Sequence, residues 1–267
     1  MNWKKLLGLP LVFFALIVLA VGCSKKETEK AEDNPDDEDN TEAAAANAPA
    51  VAVDMANGAT VTGKITFTGA KPTLNKIQMD AEPSCAAMHN NIPSQEVVIN
   101  DNGTLRYVMV YVKDGLNGKS YKPIEQKENL DQKGCLYEPH VIGLVNSEEL
   151  DISNDDKTTH NIHPQPKINR EWNESQSSGD VKKKEFTQSE WPPIPVKCNI
   201  HPWMKMYIGV FNHPFFAVSG ADGTFTIKGL PPGTYTIAAW QEKYGEQTQK
   251  VTVKSKEETK VDFNFKG

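Results

Sequence analysis

Short runs of alternating apolar and polar residues follow one another from about residue 58 to the end of the chain. Runs such as ATVTGKITFTG, LRYVMVYVKDG and GTFTIKG are rich in Val, Ile, Thr, Tyr and Phe. Asn-Gly, Asp-Gly and Pro-Pro-Gly punctuate them, and no stretch keeps a helical period. This pattern predicts an all-β protein made of sandwiches or barrels.

The first 22 residues follow a different pattern. Two lysines precede an apolar run at residues 6–19, and small residues then lead to Cys23. The run is short for a membrane span, although a retained transmembrane helix is the alternative. The segment resembles a bacterial lipoprotein signal peptide, which implies cleavage before Cys23 and lipidation of its thiol. We therefore expect an exported chain anchored to a bacterial membrane, at the periplasmic face or the cell surface. By the same resemblance, Ser24 favours the outer membrane.

An acidic segment follows, which with the lipidated cysteine spans residues 23–57. It is almost free of large apolar residues, so it predicts a disordered tether. The chain has a net charge of −6, of which residues 1–26 contribute +4 and residues 27–54 contribute −9, leaving −1 for the rest. A nearly neutral body argues against nucleic-acid binding.

The end of the chain contains the turn pattern TFTIKGLPPGTYTI. This pattern resembles the carboxypeptidase regulatory-like family, a small prealbumin-like β-sandwich. The resemblance implies a separate domain at residues 214–267 with a structural or adhesive role and no catalytic constellation.

Two segments between these regions carry metal-binding residue types. HNIH begins at His160, and CNIHPWM supplies Cys198, His201 and Met204. Type 1 copper sites use two imidazoles, one thiolate and a weak axial thioether. Zinc also accepts two imidazoles and a thiolate, but a thioether is a poor fourth ligand for it. The residue types therefore favour copper.

The two motifs, H-N-x-H and C-x-x-H-P-W-M, resemble those of the cupredoxin family, in particular its amicyanin- and plastocyanin-like members, over residues 136–210. The resemblance implies a Greek-key β-sandwich or barrel with one mononuclear type 1 copper. It assigns the metal to His160, Cys198, His201 and Met204.

The same resemblance gives roles to three neighbouring residues. It prefers His160 over His163 as the first imidazole, because cupredoxins use the first histidine of this motif. It places the backbone N–H of Asn161 at the copper thiolate. Met206 has the spacing of the plastocyanin loop and is the alternative axial ligand.

The chain has four cysteines. If Cys23 is lipidated and Cys198 binds metal, Cys85 and Cys135 remain. Disulfides persist in exported proteins, so we expect a bridge between them, with two separately buried thiols as the alternative.

Residues 58–137 exceed what an amicyanin-like domain needs, and we assign them to a copper domain at 58–213 as an N-terminal β extension. They either add strands to the cupredoxin sheets or form a subdomain pinned by the expected disulfide. The sequence leaves both arrangements open.

The predicted function is a membrane-anchored extracytoplasmic type 1 copper protein that carries single electrons between unknown, transient redox partner proteins. By resemblance, electrons pass through the exposed edge of His201, beside an apolar patch of Pro202 and Trp203. Two alternatives remain: a lipoprotein module that binds a carbohydrate or protein partner, and a copper storage or delivery protein. We do not expect an enzyme, because no base is paired with a nucleophile.

Overall fold

The computed structural model describes residues 49–89, 91–124 and 128–267. The expected signal peptide, Cys23 and most of the expected tether lie outside these residues. All the described residues belong to one compact unit. Within the described ranges, no helix is long and apolar enough to cross a membrane.

The described residues form 21 strands and one short helix, which confirms the all-β prediction. The helix, α1, is Pro83–Ala86. The strands are β1 (Ala59–Thr68), β2 (Lys76–Ile77), β3 (Ile92–Pro93), β4 (Val98–Ile99), β5 (Leu105–Arg106), β6 (Met109–Asp114), β7 (Glu128–Lys133), β8 (Leu136–Glu138), β9 (Val141–Val145), β10 (Leu150–Asn154), β11 (His160–Pro164), β12 (Glu174–Gln176), β13 (Val181–Lys184), β14 (Glu190–Lys197), β15 (Lys205–Phe211), β16 (Phe216–Val218), β17 (Thr224–Leu230), β18 (Gly233–Gln241), β19 (Gly245–Val253), β20 (Glu258–Lys260) and β21 (Phe263–Lys266).

Strands β7 to β15 build one sandwich, here called the central sandwich. One of its sheets has the order β13-β10-β7-β8, and the other has the order β12-β11-β14-β15-β9. Alternate residues of β10 are buried, as the period of a strand requires, and Leu150 and Ile152 are fully enclosed. They share a core with Ile194 and Ile208 from the facing sheet.

A second sandwich, here called the terminal sandwich, combines strands from both ends of the described chain. One sheet has the order β17-β1-β20, with β21 also paired to β1, and the other has the order β16-β6-β18-β19. Val61 and Ile65 of β1 are fully buried in the same core as Phe225 and Phe263. Both predicted ranges, 58–213 and 214–267, therefore contribute strands to this sandwich. Within residues 58–137, β1 and β6 thus complete sheets whose other strands lie more than a hundred residues away, whereas β7 adds a strand to the central sandwich.

Aromatic side chains fill the contact between the two sandwiches. The Trp191 ring lies 4.3 Å from the Tyr111 ring and 5.4 Å from the Phe211 ring, measured between centroids. Tyr207 and Trp240 are 5.3 Å apart in the same way. Because Tyr207 and Phe211 alternate with the core residues of β15, they face the terminal sandwich. The two sandwiches are thus packed sheet against sheet.

Candidate metal centre

The first candidate ligand, His160, begins β11 and is fully buried. Its Nε2 lies 2.8 Å from a carboxylate oxygen of Asp156. That carboxylate also accepts the backbone N–H groups of Gly134 and Cys135, each at 2.7 Å. The second ring nitrogen of His160, Nδ1, is therefore turned the other way, where it lies 2.8 Å from Nδ1 of His201.

A tight loop between β14 and β15 supplies the other candidate ligands. The backbone N–H of Cys198 donates to the carbonyl of Met204 at 3.2 Å, and that of Met204 donates to the carbonyl of His201 at 2.9 Å. These bonds fold the loop so that the Cys198 sulfur and the His201 imidazole face the same space. The Cys198 Sγ atom lies 3.7 Å from Nδ1 of His201.

Three ligand atoms thus converge from two distant parts of the chain. One nitrogen each from His160 and His201 and the sulfur of Cys198 all lie within 4.8 Å of one another. The three residues are 0%, 1% and 2% exposed, respectively. The backbone N–H groups of Asn161 and His201 lie 3.4 Å and 3.3 Å from the sulfur, so negative charge on the sulfur is stabilised there.

The environment favours the metal-binding forms of Cys198 and His201. Burial raises the pKa of the Cys198 thiol, but hydrogen bonds from His160 and from the N–H groups of Asn161 and His201 outweigh it and hold that pKa below its usual value. Burial and the neighbouring His160 both lower the pKa of His201. A thiolate and a neutral imidazole are the forms that bind metals.

The donor chemistry fits copper. Two imidazoles and one thiolate form the trigonal set of ligands in a type 1 site. Because these groups are enclosed, water cannot reach the site to act as a further strong ligand. A second group, Cys135, Asp156 and His160, is equally compact. It offers no thiolate, however, because Cys135 is bonded to Cys85. Of the two groups, the first alone combines a free thiol with two imidazoles.

Met204 and Met206 are both fully buried in the core cluster that contains Cys198. Both side chains therefore pack in the same core. The assignment of Met204 as the axial ligand, with Met206 as the alternative, stays a prediction. His163 lies outside the cluster, since its ring nitrogens contact Asn199 and Glu171 instead.

The predicted disulfide between Cys85 and Cys135 is present. It anchors the β2–β3 pair and α1, which together are called the cap (residues 76–89 and 91–93). Met79 and Cys85 of the cap are fully buried in the core that also holds Cys198. On the other side of the bridge, the carbonyl of Cys135 accepts the indole N–H of Trp203 at 3.1 Å.

The expectation that His201 presents an exposed edge is wrong. The residue is only 1% exposed, and its Nε2 atom is buried and has no hydrogen-bond partner among the described residues. The carboxylate of Glu82, in the cap, interacts electrostatically with both His201 and His160. The cap therefore lies beside the site, which sequence reasoning did not predict.

Sequence reasoning also missed Asp156. The residue lies four positions before His160, and this spacing within a polar turn, NDDKTTH, is the one signal that points to it. Nothing in the sequence relates Asp156 to the turn at Gly134 and Cys135. Both turn residues have positive φ, 63° and 56°, and present their N–H groups to its carboxylate.

Comparison with known proteins gives one family match and several structural likenesses. Residues 210–266 match the carboxypeptidase regulatory-like domain. No curated protein matches the chain. Structural neighbours are cupredoxins and a copper enzyme, all matched over about a third of this chain.

A Cu-containing nitrite reductase from Thermus scotoductus is 18% identical over 35% of this chain, with a TM-score of 0.30. A purple cupredoxin from Nitrosopumilus maritimus is 18% identical over 32% of this chain and 99% of its own, with a TM-score of 0.27. An amicyanin variant in its Cu(I) form is 15% identical over 33% of this chain and 86% of its own, with a TM-score of 0.29. This chain spans only 24% of the nitrite reductase chain. Likenesses this weak carry no argument about the site, which stands on its own geometry.

Proposed function

We propose that this protein is an exported, lipid-anchored type 1 copper protein that carries single electrons. His160, Cys198 and His201 would hold one mononuclear copper, with Met204 as the weak axial ligand. When bound, copper supplies a one-electron couple between Cu(II) and Cu(I). The protein makes and breaks no substrate bonds in this role and is not an enzyme.

The observation that carries the proposal is the enclosed set of two imidazole nitrogens and one sulfur within 4.8 Å. A rigid β scaffold holds these atoms in place, since His160 is bonded to Asp156 and the loop from Cys198 to Met204 is closed by backbone hydrogen bonds. Little then needs to move when the oxidation state changes. The N–H donors to the sulfur stabilise the thiolate that a type 1 site requires.

The sequence supports the proposed anchor and partners. Lipidation of Cys23 and an acidic tether would hold the β sandwiches near a membrane surface while leaving them free to meet several partners. An interface that exchanges electrons is typically small and short-lived. We therefore propose transient redox partner proteins outside the cytoplasm, and no nucleic-acid partner.

Titration of the full chain, purified in detergent, with copper(II) tests the proposal. One equivalent should produce an intense thiolate-to-copper absorption band and an electron paramagnetic resonance spectrum with unusually small hyperfine splitting. The Cys198→Ser variant should lose the band, whereas Met88→Leu, at an exposed methionine of the cap, should keep it. A colourless chain, or one that takes up zinc in preference to copper, would overturn the proposal.

A second candidate is a lipoprotein module that binds a carbohydrate or protein partner. The match of residues 210–266 to the carboxypeptidase regulatory-like domain favours it. Copper storage or delivery is a further alternative, and it predicts rapid removal of the metal by a chelator. Burial of all three candidate ligands favours slow removal instead.

A further inference from the structure

The enclosure of the three candidate ligands limits how an electron can reach the site. The disulfide between Cys85 of the cap and Cys135 anchors the cap. Both cysteines are 0% exposed, so a reductant in solution has no access to this bond. The cap is therefore anchored by an enclosed bond. Beside it, the imidazole of His201 is enclosed, with Nε2 buried. A partner protein cannot touch this ring directly.

Trp203 connects the enclosed imidazole to the surface. Its ring centroid lies 5.1 Å from that of His201, and among the described residues the only other ring paired with His201 is the fellow candidate ligand His160. The indole is half-buried. Its N–H is fixed by the carbonyl of Cys135, so the disulfide that anchors the cap also sets the orientation of the indole.

The loop around this indole suits a brief contact with another protein. Ile200 is 49% exposed, and Pro202 is also exposed. Together with Trp203 they form a small apolar surface on the loop that carries Cys198 and His201. A tryptophan is a frequent anchor in protein interfaces.

From these observations we propose that Trp203 is the electron port of the site, in place of the enclosed edge of His201. The proposal rests on the proposed copper function and deepens it. One electron passes from a reduced one-electron carrier through the indole to the site, and later from the site to an oxidised carrier. The indole is a bridge for tunnelling: it is neither oxidised nor protonated in net terms, and no covalent bond forms or breaks.

The test measures electron transfer from the reduced, copper-loaded full chain to hexacyanoferrate(III) by stopped flow. Trp203→Leu removes the aromatic bridge, and Trp203→Phe keeps a ring. Trp172→Leu is the matched control, because Trp172 is another half-buried indole against the same core but pairs with Phe186 and Lys184. The absorption spectrum and the reduction potential of each variant report whether the site itself is intact.

We expect W203L to slow electron transfer several-fold with spectrum and potential unchanged, and W203F and W172L to stay near the wild-type rate. Equal rates in all four proteins, with intact spectra, would overturn the proposal while leaving the copper function standing. A wild-type chain without the thiolate-to-copper band would overturn both. If W203L itself alters the spectrum, W203M takes its place, and an unchanged rate in that variant also overturns the proposal.

Discussion

Asp156 joins three parts of the site through one carboxylate. It accepts hydrogen bonds from the backbone of Gly134 and Cys135 and binds Nε2 of His160. Burial raises its pKa, but the hydrogen bonds from His160 and from these N–H groups outweigh burial and lower it overall. An ionised carboxylate at Nε2 keeps the proton there and leaves Nδ1 of His160 free to bind a metal.

The Asp156→Asn substitution should therefore weaken copper binding. The amide cannot hold His160 in the same tautomer with the same strength, and loss of such a partner costs about 10–100-fold in metal affinity. Competition with a copper chelator measures the change. Asp155→Asn is the control, because the neighbouring carboxylate is exposed and lies outside the cluster. Equal affinities of the two variants would show that the carboxylate does not position the ligand.

A pair of matched substitutions also distinguishes the roles of Met204 and Met206. The axial ligand tunes the potential of a type 1 site, so Met204→Leu should shift the reduction potential and alter the electron paramagnetic resonance spectrum. Met206→Leu is an equally buried substitution and should change neither. The reverse result would assign the axial position to Met206.

The candidate ligands could be predicted from sequence because three of them lie within one short loop, so their chemistry is visible as a local motif. Asp156 and the buried state of His201 could not. Asp156 contacts Gly134 and Cys135, which are remote from the motifs in sequence, and a motif carries no information about what packs around His201. The disulfide was predictable only as a pairing, without the cap that it anchors.

At the scale of elements, the β-strands were predictable from their alternation, whereas their pairing was not. β6 lies between β16 and β18, so the segment that follows β15 must run back to β6 before β16 begins. His213 holds this segment against β6. Its Nε2–H donates to the carbonyl of Val112 in β6 at 3.0 Å, and its Nδ1 accepts the N–H of Phe215 at 3.2 Å.

This histidine predicts a pH dependence of stability. Burial lowers the pKa of His213 to about 4 from an ordinary 6.5. Between pH 6.5 and pH 4, His213 binds a proton more readily in the unfolded chain than in the folded one. The stability that the neutral histidine contributes is therefore full above pH 6.5 and falls as the pH drops towards 4. From pH 7 to pH 5 the wild type should lose about 2 kcal/mol more unfolding free energy than His213→Gln, which cannot be protonated. Urea unfolding at pH 7 and pH 5 measures the loss of unfolding free energy in each protein. Equal losses in the wild type and in His213→Gln would contradict the prediction.

At the scale of the whole molecule, the terminal sandwich is built from segments that the central sandwich separates in sequence. The family match covers residues 210–266, yet β1 lies between β17 and β20 and also pairs with β21. A short sequence motif identifies this domain but cannot reveal strands supplied from residues 59–114. The aromatic contact between the sandwiches couples them further.

A fragment of residues 210–267 should therefore fail to fold alone. Without β1 and β6, both of its sheets lose an inner strand and their cores are open to water. Its amide NMR spectrum should be poorly dispersed, while that of residues 49–267 should be well dispersed. A well-dispersed spectrum from the short fragment would show that the family match marks an autonomous domain.

The central claim is that two histidines and one cysteine of this chain bind one copper ion in a type 1 site. X-ray absorption at the copper edge of the loaded full chain tests it most directly. We expect one short copper–sulfur bond and two copper–nitrogen bonds from imidazole rings, and the Cys198→Ser variant should show no short copper–sulfur bond. A first shell of oxygen and nitrogen alone, unchanged by that substitution, would contradict the claim.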